Sequence, residues 1–435
     1  MAASSILLLN PVTMKVMILG SGGREHTLAW KIARSSLLKE LFIAPGNAGT
    51  AYLGKNIDLD INNFEAIGRF ALEEKISMIV VGPEAPLVAG IYDYFKSDRK
   101  LRKIIVIGPS QQGAMLEGSK DFANEFMSRH NIPTARFLTV TRERYGEGIA
   151  FLQTMEPPYV LKADGLAAGK GVLILNTLEE AKKELSDMLG GKFGKASEKV
   201  VIEEFLAGTE VSVFVLTDGS SYLIFPEAKD YKRAGDGDTG LNTGGMGAVS
   251  PVSFVDDLFL RQVEEHIIKP TIRGLQKEKI IYQGFLYFGL MNVIGNPYVV
   301  EYNVRMGDPE AEVVLPRVNN DLLVLFKAVA RKKLKKHKPD INPQTVCTVI
   351  MAAGGYPGNY EKGKEIRNLE KVENSIVFHS GTRLSEGKVL TNGGRVLAVS
   401  SYGNTKTDAL ARTYRNIDLI DFEKKYFRRD IGYDI

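Results

Sequence analysis

Cysteine, histidine and long apolar runs are scarce in this chain, and each scarcity removes a class of function. The single cysteine, Cys347 in the apolar stretch "TVCTVIM", can form no internal disulfide, so a reducing cytoplasm is the expected setting. Five histidines and that one cysteine show no zinc-ligand spacing. No apolar run approaches the roughly 20 residues needed to span a bilayer, so no membrane partner is expected. The opening "MAASSILLLNPVT" has a short apolar core and no basic lead, which makes it a poor signal peptide. Because Met14 directly precedes the first strand, residues 1–13 read as a disordered extension or a start-site artefact. Charge also lacks a dominant sign: 56 Lys and Arg stand against 52 Asp and Glu, a net of +4. The one basic run, "RKKLKKHK", has no aromatic platform nearby, so it reads as a solvated helix end or linker and no nucleic-acid partner is expected.

What is present is length, at 435 residues too much for one ordinary core, and a recurring glycine punctuation. Between Met14 and Gly118 the apolar strands "KVMIL", "LFIA", "ISMIVVG" and "IIVIG" alternate with helical stretches. That alternation means parallel β-α-β units whose strand-end loops share a cleft. "GSGGREH" follows the first strand and opens a helix predicted over 25–33, so Gly20, Gly22 and Gly23 leave N–H groups where an anion can sit. A dinucleotide fingerprint is excluded. Glu25 stands at the third glycine position, and the next strand runs into Pro45, Gly46 and Asn47 where a ribose-binding acid is needed. A phosphate turn remains, and the loops "APGNAGT" and "GPEAPL" should face the same cleft.

Ser119 is the predicted N-cap of a helix through "KDFANEFMSR" that ends before Pro133. Antiparallel β mixed with α follows. "ADGLAAGKGV" is no P-loop, because only three residues separate Gly165 from Gly169, Lys170 is followed by Gly171, and a strand comes next. A glycine turn between two strands is instead a flap that can close over phosphates, with Lys162 and Lys170 to neutralise them. After it, "VVIEEFLAGTE" puts Glu203, Glu204, Phe205 and Leu206 at a strand end, where a purine ring could rest, and Glu210 within reach of a ribose.

In "VVEYNVRMGDPEAE" the period-two alternation sends Glu301, Asn303 and Arg305 to one face and Tyr302, Val304 and Met306 to the other. A carboxylate and an amide oxygen are hard ligands for Mg²⁺, and Arg305 could clamp a transferring phosphoryl group. Asp308 is expected to cap a helix starting at Pro309. The glycine-rich loop "KDYKRAGDGDTGLNTGGMG" mixes Asp230, Lys232, Arg233, Asp236 and Asp238, suited to a zwitterion or a phosphorylated sugar. A helix is predicted through "DDLFLRQVEEHIIKPTIRGLQK", and a β-rich tail from "TVCTVIM".

These motifs, with "LEGSKDFANEFM", "RMGDPEAEVVLPR" and "AAGGYPGNYEKG", occur in an order that resembles the phosphoribosylamine–glycine ligases (glycinamide ribonucleotide synthetases), ATP-grasp enzymes of de novo purine synthesis. The resemblance covers all but residues 1–13. It implies an α/β and α+β multidomain fold: a Rossmann-like pre-ATP-grasp domain over 14–118, an ATP-grasp domain over 119–330 with its lid at about 136–200, and a β-rich domain over 331–435. It implies that ATP meets Lys120, Lys162 and Lys170, that residues 203–206 line the adenine pocket, and that Glu210 meets the ribose. Glu301 and Asn303 would bind Mg²⁺ or Mn²⁺; Asp230, Lys232, Arg305, Gly307, Asp308 and Pro309 would face the acyl phosphate and substrates. Arg305, Lys170 and Asp230 are the expected catalytic groups. Gly22, Gly23, Arg24, Glu25, Pro83 and Glu84 are the expected contacts of phosphoribosylamine.

The family pattern has His at Tyr231 and Phe at Tyr302 and Met306; the last two changes fall on the apolar face and should alter packing only. The implied partners are ATP, glycine and 5-phosphoribosylamine, acting on a monomer. The alternatives are another ATP-grasp carboxylate–amine ligase, distinguished by whether ATP hydrolysis needs both co-substrates, and a nucleotide-binding regulator without turnover. Lys162, Lys170, Glu301, Asn303 and Arg305, all in place, argue against the second.

Overall fold

The computed structural model describes residues 13–166 and 171–435. Residues 1–12 and 167–170 lie outside the described residues, and with them most of the expected extension, the flap tip and the assignment of Lys170. The first region is the expected parallel sheet, in the order β3-β2-β1-β4-β5, from β1 (Met14–Gly20), β2 (Leu38–Pro45), β3 (Lys55–Asn56), β4 (Met78–Val81) and β5 (Ile105–Ile107). Helices cover this sheet, which is why β1 reads as an unbroken apolar run: Val16 to Leu19 are all fully buried.

The lid is a separate four-stranded antiparallel sheet, β6-β9-β7-β8, made by β6 (Phe137–Val140), β7 (Tyr159–Ala163), β8 (Val172–Leu175) and β9 (Val200–Glu204). The Leu178–Leu189 helix, capped by the Thr177 hydroxyl, packs on it, and Leu152, Leu161, Leu185 and Ile202 give the lid its own core. The predicted flap strands are β7 and β8, paired antiparallel.

The grasp core and the tail share one eight-stranded antiparallel sheet, β16-β15-β10-β11-β14-β17-β21-β18. Its core strands are β10 (Thr209–Thr217), β11 (Tyr222–Asp230), β14 (Gly247–Ser250), β15 (Gly284–Val293) and β16 (Asn296–Asn303). The tail supplies β17 (Thr345–Ala352), β18 (Ile376–His379) and β21 (Arg395–Gly403), together with the small hairpin β19 (Thr382–Ser385) and β20 (Lys388–Thr391). The glycine-rich loop is itself partly ordered as the hairpin β12 (Arg233–Gly235) and β13 (Thr239–Asn242).

Three local expectations need correction. The helix after "RMGDPE" starts at Ala311, not Pro309, and Asp308 does not cap it. The basic run "RKKLKKHK" is not wholly solvated: Leu334 within it is fully buried, and its N–H donates to Asp218 at 3.2 Å. The helix through "DDLFLRQVEEHIIKPTIRGLQK" is continuous in direction but widens to a π turn at Glu264–Ile268. Pro270 lacks an N–H and crowds the preceding turn, and the wider turn accommodates it.

Candidate active site

Strand β16 organises the site. One register shift against β15 leaves Val300 unpaired, and its carbonyl accepts from Lys162 Nζ at 3.2 Å, a lid contact that a regular ladder would have forbidden. Beyond the shift the alternation holds. Tyr302, Val304 and Met306 are buried, and the Tyr302 hydroxyl lies 2.9 Å from Thr271 Oγ1, a packing role as expected. On the other face Asn303 Nδ2 donates to Glu301 Oε1 at 3.4 Å and Arg305 Nη2 donates to Asn303 Oδ1 at 3.2 Å, so the three polar groups do meet. Glu301 is exposed to the cleft. Two adjacent hard oxygen donors suit a divalent ion that keeps waters and shares phosphate oxygens. Among the described residues no group of three or more His, Cys, Asp or Glu could hold a metal unaided.

Arg305 is held from the N-terminal side. Glu117, at the end of the Gln111–Gly118 helix, accepts from Nη2 at 2.7 Å, and Glu84 lies 3.6 Å from Nε. Glu117 also accepts from the Val304 N–H at 2.8 Å. Glu117 was not singled out from sequence, although it lies in the quoted "LEGSKDF"; only the fold shows it beneath Arg305. Burial pushes the Glu117 carboxyl up despite Arg305, whereas for Glu84 Arg305 and Arg24 outweigh burial and hold the carboxyl below its ordinary range.

Lys120 and Lys162 face each other's surroundings at the lid base. Lys162 pairs with Glu203 at 2.6 Å, and Glu203 also accepts from Asn124 Nδ2 at 2.9 Å. Lys120, first residue of the Lys120–Arg129 helix capped by Ser119, donates to the Gly165 carbonyl at 3.4 Å. Burial, with Lys162 adding to it, lowers the Lys120 pKa although Glu301, Asp164 and Glu203 oppose the shift. Next to them Glu204 is engaged by Arg136 at 2.8 Å, while Phe205, 40% exposed, and half-buried Leu206 form an apolar edge. The carboxylates of this edge are thus occupied, which leaves its apolar side chains and backbone for a ligand.

Across the cleft Lys232 pairs directly with Glu210 and lies 3.7 Å from Asp230. Burial raises the Asp230 carboxyl above its ordinary range; Lys232 is held protonated, since Asp230 and Glu210 outweigh the cost of its burial. Glu210, expected at a ribose, stands here against Lys232. Tyr231 points the other way, 2% exposed, with its hydroxyl donating to Asp434 at 2.8 Å. No aromatic or imidazole group from that position reaches the cleft.

The glycine turn is built around Glu25, which is 2% exposed. Its Oε2 accepts from the Gly22 N–H at 2.6 Å and its Oε1 from Arg24 Nε at 2.5 Å. A side chain at Gly20 or Gly82 would overlap it, and Gly20 also has a φ of +124°. Arg24 reaches the Met306 carbonyl at 3.3 Å, and the Arg24 N–H donates to Asp308 Oδ2 at 3.3 Å. Asp308 therefore sits at the start of the Gly23–Ile32 helix, far earlier in the chain than the helix it was expected to cap. Pro83 precedes the short Glu84–Val88 helix. Asn47 donates to the carbonyls of Ser21 at 2.8 Å and His379 at 2.7 Å, tying the glycine turn to the tail. A cavity of about 290 Å³ opens here between Gly22, Glu25, Pro45, Asp60 and Pro83, and its charged lining is acidic.

Behind the cleft Glu310 accepts from the Tyr287 hydroxyl at 3.1 Å, and burial followed by Asp230 pushes its carboxyl up to about 7. A side chain at Gly307 would overlap Glu310, so the Gly307–Pro309 turn closes tightly over it.

Comparison with known proteins agrees with this architecture. Residues 14–117, 118–311 and 346–434 match the N domain, the ATP-grasp (A) domain and the C domain of phosphoribosylglycinamide synthetase. A phosphoribosylamine–glycine ligase of Vibrio cholerae is 45% identical over 97% of this chain and 98% of its own length. One from Pseudomonas putida is 47% identical over 97% of each. The crystal structure of a phosphoribosylamine–glycine ligase from Thermotoga maritima superposes with a TM-score of 0.83 at 39% identity, covering 96% of this chain and 99% of that one. A biotin carboxylase domain from Hydrogenobacter thermophilus, 16% identical with a TM-score of 0.73 over 96% of this chain and 92% of its own, shares the fold.

Proposed function

The chain belongs to the phosphoribosylglycinamide synthetase family, the phosphoribosylamine–glycine ligases, and from that membership we propose how its cleft performs the family's reaction. The reaction joins glycine to 5-phosphoribosylamine at the expense of ATP, giving glycinamide ribonucleotide, ADP and phosphate in de novo purine synthesis. The observation that carries the residue assignment is convergence: Glu301, Asn303 and Arg305 share one face, with Lys120 and Lys162 on one side and Asp230 and Lys232 on the other.

ATP lies under the lid, its ring on Phe205 and Leu206, its phosphates against Lys120 and Lys162; Lys170, outside the described residues, is assigned to the phosphates by the family resemblance alone. Glu301 and Asn303 would hold Mg²⁺ or Mn²⁺, which would supply charge stabilisation for the phosphoryl transfer. Glycine's carboxylate is ionised at neutral pH, so it attacks the γ-phosphoryl group without a strong base. Arg305, released in part from Glu84 and Glu117, stabilises the charge that develops. Asp230 and Lys232 orient glycine, and the lid keeps glycyl phosphate from water until the amine attacks its carbonyl carbon and phosphate leaves. Phosphoribosylamine reaches that carbon from the glycine turn. The helix start at Gly22 and Gly23 receives its phosphate once Glu25 and Asp308 release the Gly22 and Arg24 N–H groups they hold, and the Asp60 carboxylate suits its hydroxyls. Glu84 and Pro83 border this path, as do Gly307, Asp308 and Pro309. The working unit is taken as a monomer, as the family resemblance implies. The single buried, free cysteine fits a cytoplasmic setting.

A product assay tests the reading: ATP hydrolysis must require both glycine and freshly generated phosphoribosylamine, and hydrolysis with a different acid alone would move the chain to another ATP-grasp reaction. Glu301→Ala is expected to leave the fold intact while lowering turnover by about a hundredfold or more. Undiminished activity in that variant would remove Glu301 from the metal site.

A further inference from the structure

The end of β11 alternates like β16, and its back face is as structured as its front. Asp230 and Lys232 face the cleft, whereas Lys229 and Tyr231 face residues 428–434. Lys229 Nζ lies 2.8 Å from Asp434 Oδ2, and the Tyr231 hydroxyl donates to Asp434 Oδ1 at 2.8 Å. The Arg428 guanidinium stacks over the Tyr231 ring, 5.4 Å from its centroid. Arg428 is 1% exposed and each of its three nitrogens donates to an oxygen. Nε and Nη2 each reach Asp430 at 2.8 Å, while Nη1 reaches Asp238 at 2.6 Å and the Arg233 carbonyl at 3.3 Å.

The same segment grips the hairpin tip beyond Lys232. The Gly237 N–H donates to Asp430 at 2.7 Å, the Arg429 N–H to Asp236 at 2.8 Å, and the Tyr433 hydroxyl to Asp238 at 2.8 Å. The tip has Gly237 and Asp238 at φ of 64° and 53°, a left-handed turn that a short hairpin holds poorly alone. The base of the loop is tied by the tail as well, through Arg395 to the Gly244 carbonyl at 2.5 Å and the Tyr356 hydroxyl accepting from the Gly244 N–H at 3.1 Å.

We propose that residues 428–434, with Arg428 at their centre, form a latch that fixes the Asp230–Lys232 strand end and the 233–243 hairpin for glycine and phosphoribosylamine, making Arg428 a positioning residue for the acyl-transfer half of the site. The reasoning is geometric. A buried bidentate guanidinium sets distance and angle together, which an ammonium does not. Among the described residues no hydrogen bond or ion pair joins residues 428–434 to the lid contacts assigned to ATP, so loss of the latch is felt on one side of the cleft. The inference rests on the placement of Asp230 and Lys232 given under Proposed function.

The test compares Arg428→Lys, Asp238→Asn and Tyr433→Phe with the parent in steady-state kinetics and in amide hydrogen exchange. Arg428→Lys should raise KM for glycine and phosphoribosylamine at least about fivefold, leave KM for ATP within about twofold, and speed exchange at the Gly237 amide. The two exposed-side variants should do the same more weakly, and they decide the matter if Arg428→Lys does not accumulate folded. Unchanged constants for the two co-substrates, or an equal loss for ATP, would overturn the latch. Lys232→Ala separates the two readings: if it leaves both co-substrate KM values unchanged, the substrate placement has failed, while Gly237 exchange in Arg428→Lys still reports whether residues 428–434 hold the hairpin.

Discussion

Gly22 and Glu310 show how single residues carry the site's chemistry. A β-carbon at Gly22 would come within 2.9 Å of Glu25 Oε2 and 3.0 Å of Asp308 Oδ2, so Gly22→Val must push two carboxylates out of the turn. The expected outcome is a KM for phosphoribosylamine raised by about tenfold or more, roughly 1.4 kcal/mol, with ATP affinity nearly unchanged. An equal loss of both would return the turn to a nucleotide site. Glu310 has a carboxyl pushed up to about 7 from an ordinary 4.5, by burial first. Between those values the folded state keeps a proton that the unfolded chain has released, so this group's contribution makes stability fall as pH rises from about 4.5 to 7. In Glu310→Gln that dependence disappears. Its stability relative to the parent, measured by denaturant titration, should grow by up to about 3 kcal/mol between pH 4.5 and 7.5. Parallel pH profiles would refute the shift.

Elements behave less predictably than residues where tertiary contacts override local pattern. The run "RKKLKKHK" looks uniformly polar, yet one turn of it drives Leu334 into the core shared by the N-terminal sheet and β11. Leu334→Ala should cost about 2–5 kcal/mol in equilibrium unfolding, while Lys335→Ala, one position on and exposed, should stay within about 0.5 kcal/mol. Similar small effects for both would mean the turn is a mere linker. The Val300 bulge teaches the same lesson: alternation predicts which side chains share a face, but not that one extra residue turns a carbonyl toward Lys162.

At the scale of the molecule, the sheet that crosses from grasp core to tail makes these two a single cooperative body, whereas the lid has its own apolar cluster. The lid is therefore the low-cost opening unit. Hydrogen exchange should show the amides of Val160 and Ile202 opening well below the global unfolding free energy, and a non-hydrolysable ATP analogue with Mg²⁺ should slow them. Val349 and Val399, paired in the central sheet, should exchange only through global unfolding and respond little. Uniform protection across both regions would contradict a separate lid.

Local pattern alone determined much of this protein. The parallel strands, the Ser119 cap, the flap hairpin, the shared face of Glu301, Asn303 and Arg305, and the exclusion of dinucleotide and P-loop readings all follow from periodicity and turn chemistry within a few residues. Only the tertiary structure decided what lies far apart in the chain: Glu117 and Glu84 against Arg305, Asp308 at the first helix's start, and Tyr231 turned away from the cleft toward Asp434. The physical reason is range. Alternation and capping act over one to four residues, whereas a buried charge finds its partner wherever the packed sheets bring one within hydrogen-bond distance, and no spacing in the sequence encodes that meeting.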